Sequence, residues 1–186
     1  VITDLDGKAI KPAEYLISWD ASAAQKGGFT HFMLKEIFEQ PKAVADTLIG
    51  RLSDNKQIVL DELRMSADEI RALKKITVIA CGTAYHAGMV AKYAIEKWAK
   101  IPVEVEIASE FRYRDPIIDA GTLVIAISQS GETMDTLMAV RHAKAAGGRV
   151  LAICNTNSST IPRESDAVLY THAGPEIAVA STKALL

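Results

Sequence analysis

Between Ala67 and Thr171 the chain alternates two hydrophobic rhythms. Short, nearly unbroken apolar runs ("ITVIACGT" at 76–83, "TLVIAIS" at 122–128, "RVLAIC" at 149–154 and "AVLYT" at 167–171) have the length and β-branched content of strands. The segments between them carry apolar residues at helical spacing. In 85–100 these are Met89, Tyr93 and the Val90, Ala94, Trp98 ladder; in 133–146 they are Met134, Leu137 and Met138. Gly147-Gly148 stop the second helix. "ADEIRALKK", from Ala67, and Ser109 to Tyr113 read as further helices. "VEVEIA" alternates with Glu104 and Glu106, which suits a strand near a sheet edge. Runs such as "LVIAI" and "VLAI" suit strands buried on both faces. Strands alternating with helices predict an α/β fold, a five-stranded parallel sheet between two helical layers.

The first third is less regular. "VITDLDGKAI" offers a hairpin about Asp6-Gly7, and "SWDASAAQKGG" reads as a linker ending at Gly28. "FTHFMLKEIFEQP" has a helical pattern that Pro41 is expected to close, with a second helical segment running to about Gly50. The chain thus divides into residues 1–28 and a domain over 29–186. Because it opens on Val1 and stops at Leu186 without a turn signal, it reads as a piece of a longer polypeptide.

Composition narrows the class. With 49% hydrophobic and 24% charged residues, 186 residues suffice for one soluble domain with a real core. A net charge of −2 argues against a nucleic-acid surface or a polybasic membrane anchor. No apolar run approaches the roughly 20 residues of a membrane span, and no signal peptide is visible. Cys81 and Cys154 sit in apolar runs, as reduced, buried cysteines of a cytoplasmic protein would. His31, His86, His142 and His172 are scattered without ligand spacing, so no metal site is expected.

In an open α/β sheet, ligands bind beyond the carboxyl ends of the strands, where strand order reverses. The segment "SQSGET" closes the 122–128 run and opens a helix. Ser128, Ser130 and Thr133 bring hydroxyls, Gln129 an amide, and Gly131 close backbone approach. With the unpaired N–H groups and positive dipole end of the helix, they form an anion cradle without a cationic side chain. One Ser or Thr there would be an ordinary cap, with Glu132 favoured by the dipole in the first turn. Four polar side chains in six positions exceed what a cap requires.

Other loops carry weaker signals. "ACGTAYHAG" lacks both the dinucleotide and the P-loop fingerprints; Thr83 is either a helix cap or a ligand contact, and His86 falls in a first turn. "SQSGE" is not a nucleophile elbow. Arg112 and Arg114 in "FRYRD" read as a solvated face or ion pairs, and the small residues Ala178 to Thr182 read as packing. Asn155 to Thr160 form a third polar strand end.

Taken together, "ISQSGETMDTL", "ACGTAYHAG", "EIASEFRYRDP", "ICNTNSSTIPRESD", "PEIAVASTKA" and "HFMLKEIFEQP" resemble the first sugar isomerase (SIS) domain of the glutamine–fructose-6-phosphate aminotransferase family. The resemblance covers about residues 25 to 186; the preceding residues look like the end of that family's glutaminase region. It implies a flavodoxin-like, doubly wound three-layer αβα sandwich. It also implies conversion of fructose 6-phosphate and glutamine to glucosamine 6-phosphate and glutamate, without a cofactor. By this likeness Ser128, Gln129, Ser130 and Thr133 hold the sugar phosphate, Thr83 contacts the substrate, and Val179 and Ser181 line the sugar site. The family usually has a serine after that threonine, where this chain has Ala84. The family's catalytic Glu, His and Lys lie beyond the last residue here, and neither cysteine matches the glutaminase nucleophile. No catalytic residue is therefore expected in the chain. The implied partners are the glutaminase domain, a second SIS domain and a second copy in a homodimer. Two alternatives are a stand-alone sugar-phosphate isomerase, for which Glu132 and His86 would have to act, and a sugar-phosphate sensor joined to a DNA-binding module, of which residues 1–66 show no sign.

Overall fold

A computed structural model of the chain describes residues 2–11 and 24–185. Most of the expected linker, 18–23, lies outside them. Five parallel strands form one sheet: β1 (Lys75–Ala80), β2 (Val103–Ile107), β3 (Thr122–Ser128), β4 (Arg149–Cys154) and β5 (Ala167–Tyr170), in the order β2-β1-β3-β4-β5. β2 is an edge strand, as its alternating glutamates require. Glu104 there accepts from Lys75 at 3.0 Å, and Glu106 pairs with Arg114.

Among the described residues six α-helices accompany the sheet: α1 (Phe32–Leu48), α2 (Ala67–Arg71), α3 (Gly82–Ala99), α4 (Ala108–Arg114), α5 (Met134–Ala145) and α6 (Thr160–Glu164). Alternate residues of β1, β3, β4 and β5 feed two separate cores. On one face Ile79, Val124, Ala126, Val150 and Ala152 meet Phe111 of α4, Leu137 and Val140 of α5, and Ile161 of α6. On the other, Ile76, Val78, Ile125, Ile127 and Leu151 meet Ala84, Tyr85 and Ile95 of α3. The fully buried Phe111, Ile79 and Ile161 each contribute about 1.5–3 kcal/mol relative to an exposed side chain. The αβα sandwich expected from the alternating pattern is the observed fold.

Three expectations change. Pro41 does not divide two helices; it lies inside α1, which continues to Leu48. The proline removes one backbone hydrogen bond. However, Glu36, Glu39, Gln40, Ala43 and Thr47 lie on one helical face on both sides of it, and all five meet the 172–184 segment. That continuous contact outweighs the local defect. The helix expected over 85–100 begins earlier, at Gly82, with Cys81 as its N-cap. Thr83 therefore occupies the first turn rather than the cap. Finally, α6 was hidden in a loop composition rich in Asn, Ser and Thr. The hairpin about Asp6-Gly7 is present, closed by an antiparallel bridge between Thr3 and Ala9.

α3 packs on the sheet at Gly88, where there is no room for a side chain. A Cβ there would come within 2.8 Å of Val78 Cγ1 and 3.3 Å of Val105 Cγ1. Val78 and Val105 are β-branched and have little rotamer freedom to yield. Gly88→Val is expected to cost roughly 1–3 kcal/mol by overpacking. The check is a lowered urea midpoint at an unchanged slope, and an unaltered midpoint would refute the close packing.

Candidate functional site

From β1 the chain crosses to β2 on one side and then returns to β3 on the other. The reversal therefore lies between the carboxyl ends of β1 and β3. Their register pairs Ala80 with Ile127, which sets Cys81 beside Ser128. α3 and α5 both start here, on opposite faces of the sheet. Of the expected site residues, Thr83 is in the first turn of α3, and Ser128, Gln129, Ser130 and Thr133 lead into α5.

Within the β3–α5 loop the hydroxyls are not caps. Thr133 is the N-cap of α5 but makes no side-chain cap bond; its Oγ1 lies 3.3 Å from Ser128 Oγ. The first-turn N–H groups of α5 are left without intrahelical partners or a capping side chain. Ser128 is 3% exposed and its Oγ accepts from the Gly131 N–H at 3.0 Å. Ser130 Oγ accepts from the Glu132 N–H at 3.2 Å, which leaves its O–H to donate outward.

The loop is tied to its neighbour after β4. The Gln129 carbonyl accepts from the Asn155 and Thr156 N–H groups, each at 3.2 Å, and the Gly131 carbonyl from Ile161 N–H at 2.9 Å. Gly131 has φ +66, and a Cβ on it would lie 1.9 Å from Ser159 Oγ. The close approach expected at this glycine is thus to Ser159 in the neighbouring loop. Glu132 also departs from expectation. It precedes the N-cap of α5, and its Oε1 accepts from the Thr160 N–H (2.6 Å) and hydroxyl (3.0 Å) at the start of α6.

Comparison with known proteins identifies the architecture. Residues 69–186 match the SIS domain family. The chain belongs to the SIS domain family. It is 67% identical over 185 residues to a glutamine–fructose-6-phosphate aminotransferase (isomerizing) of Streptomyces coelicolor and 63% identical to that of Corynebacterium diphtheriae. In both cases the whole chain is covered but only 30% of the relative, so the chain spans about a third of the length of these curated relatives. Among solved structures it resembles the C-terminal domain of glucosamine-fructose-6-phosphate aminotransferase from Francisella tularensis. That match has a TM-score of 0.79 and 50% identity, and covers 87% of this chain and 45% of that one.

The remaining expected residues of this SIS domain lie in the irregular segment after β5. After β5 the chain runs along α1. There Val179 is fully exposed, and the Ser181 hydroxyl donates to Glu176. No hydrogen bond among the described residues joins either one directly to the β3–α5 loop. The link is indirect, through Asn155, whose N–H bonds Gln129 and whose Nδ2 donates to the Gly174 carbonyl at 2.8 Å. Sequence reasoning noted Asn155 only as one polar residue among several; a bridging role needs the fold. Ala84 is buried against the sheet.

Charges are sparse at the strand ends. Cys154, beside Ser128 in the β3–β4 register, has its thiol pushed up to about 12 by burial and stays neutral. Both cysteines are free. Arg112 and Arg114 point elsewhere, Arg114 to Glu106 and Arg112 over the Tyr113 ring. His86 is exposed, with an edge contact to Tyr85. A separate depression of about 260 Å³, lined by Ile49, Gly50, Arg51, Val59, Glu62 and His172, contains none of the expected site residues. Among the described residues no His, Cys, Asp or Glu cluster could hold a metal, and no helix is long and apolar enough to cross a membrane.

The Thr160 hydroxyl and N–H hold the Glu132 carboxyl below the usual glutamate range. A depressed carboxyl stabilises the fold fully above its unfolded value and loses that effect as pH falls through the folded one. Glu132→Gln is accordingly expected to flatten the loss of stability between about pH 6 and pH 3. Thermal unfolding across that range checks it; an acid limb identical to the parent's would contradict the Glu132–Thr160 bond.

Proposed function

We propose that this chain binds a sugar phosphate as the first SIS domain of a glutamine–fructose-6-phosphate aminotransferase. In that enzyme, fructose 6-phosphate and glutamine become glucosamine 6-phosphate and glutamate. The observation that carries the reading is the loop at the β1–β3 reversal. Thr133 leaves the start of α5 uncapped, and hydroxyls converge beside it without a lysine or arginine. In this reading Ser128, Gln129, Ser130 and Thr133 grip the phosphate, while Thr83, Val179 and Ser181 meet the sugar. Hydrogen bonds to a charged group contribute about 1.5–3 kcal/mol each, so a few neutral donors suffice to hold a phosphate monoester. Neutral donors also release it again more readily than a buried ion pair would.

The loop holds one end of the sugar and supplies no proton-transfer group at the other. Glu132 is engaged with Thr160, and His86 is exposed on α3. Isomerisation and amination then fall to other parts of a longer chain: a second SIS domain and a glutaminase domain, of which residues 1–28 are the end and the linker. A cytoplasmic homodimer completes the proposal. The relatives named for this enzyme at 67% and 63% identity support it over a stand-alone isomerase or a sensor.

Fructose 6-phosphate or glucosamine 6-phosphate at about 100 times its Kd is expected to add about 2.7 kcal/mol of stability. Fructose, without the phosphate, is expected to add none. Changing Ser130 and Thr133 together to Ala should abolish the melting shift while leaving the unliganded fold intact. A shift that survives the double change, or no shift with the parent chain, would refute the cradle.

A further inference from the structure

α1 carries a buried carboxylate that the proposed grip on the phosphate does not use. Glu36 is 2% exposed, and no salt bridge reaches it among the described residues. Its Oε1 accepts from the Ile177 N–H at 2.6 Å and the Ala178 N–H at 3.2 Å, and its Oε2 lies 3.3 Å from the same Ala178 nitrogen. An apolar side chain of similar size would fill this space without the desolvation that a buried carboxylate incurs. What Glu36 adds over such a residue is directional: it fixes two backbone N–H groups that would otherwise be unpaired.

A second carboxylate completes the arrangement from within the segment. Glu176 Oε1 accepts from the Thr182 and Lys183 N–H groups at 2.7 and 2.9 Å, and its other oxygen takes the Ser181 hydroxyl. α1 adds Gln40, whose Nε2 donates to the Thr182 carbonyl, and Glu39, which pairs with the 5% exposed Lys183 at 2.6 Å. Residues 177–178 and 181–183 are thus pinned on either side of an outward arch. At its apex stands fully exposed Val179. Ser181 has given its hydrogen to Glu176, so its oxygen remains free to accept from a sugar hydroxyl. Asn155 ties the start of this segment to the phosphate loop.

We propose that Glu36 is a positioning residue of the sugar site. From a helix that precedes the sheet, its carboxylate sets where Val179 and Ser181 stand relative to the phosphate cradle. This rests on the sugar-phosphate reading above and extends it. α1 becomes part of the site's scaffold, and selectivity for the sugar becomes separable from the grip on phosphate.

The test compares the parent chain with Glu36→Ala and Glu36→Gln by calorimetric titration with glucosamine 6-phosphate and with inorganic phosphate. Backbone amide exchange is followed in parallel. Glu36→Ala is expected to weaken the sugar phosphate about tenfold, the loss of one well-placed hydrogen-bond acceptor. Inorganic phosphate binding should stay unchanged. Exchange at Ile177 and Ala178 should quicken while the bonded amides of Gly131, Glu132 and Leu137 keep their protection. Glu36→Gln, which retains an acceptor oxygen, should recover part of the loss; it also decides the question if the alanine variant does not fold. Unchanged selectivity between the two ligands, or equal weakening of both, overturns the positioning role. Failure of the parent chain to bind glucosamine 6-phosphate overturns the underlying reading instead, a pattern distinct from a parent that binds and variants that match it.

Discussion

Parallel strands joined through helices turn in one hand, so the direction in which a sheet grows decides which face each connecting helix covers. Here growth changes direction once, across β1. The connection from β1 to β2 puts α3 on one face; α5, between β3 and β4, lies on the other. The two helices therefore begin on opposite sides of one cleft, with Ala80 and Ile127 in register at its floor. The polar groups that matter for the proposed ligand stand where they do because of that pairing.

Chemistry at the cleft is set by what the loop does with its own hydrogen bonds. Ser128 and Ser130 accept from the loop backbone, Thr133 turns toward Ser128, and Glu132 reaches across to Thr160. Each bond stiffens the loop without consuming the first N–H groups of α5. Gly131 allows the β4 loop to come close enough for this bracing. The result is a braced, hydroxyl-rich edge without a cationic side chain in front of a helix dipole, with the one loop carboxylate, Glu132, turned to Thr160.

Local features of this design were legible in the sequence. Apolar runs located all five strands, the alternating glutamates put β2 at an edge, and "SQSGET" marked the donor loop. What stayed hidden depends on partners distant in the chain. Pro41 argued for two helices, because the segment that α1 packs against lies about 140 residues further on. Nothing near Glu36 in sequence reveals the Ile177 and Ala178 N–H groups that it holds. A lone Thr133 would read as a cap and Glu132 reads as a first-turn acid, because the rules for helix ends are local. The competing partners, Ser128 and Thr160, become visible only when two strand ends are brought together.

The central claim, that neutral donors ahead of α5 hold a phosphate, is tested most directly by an amide chemical-shift titration of this chain with glucosamine 6-phosphate. The largest changes are expected at Ser130, Met134 and Asp135, with smaller ones at Thr83 and around Val179, and none with glucosamine itself. Changes centred on Arg51 and His172, or on Arg112 and Arg114, with the 130–135 amides unmoved, would contradict it.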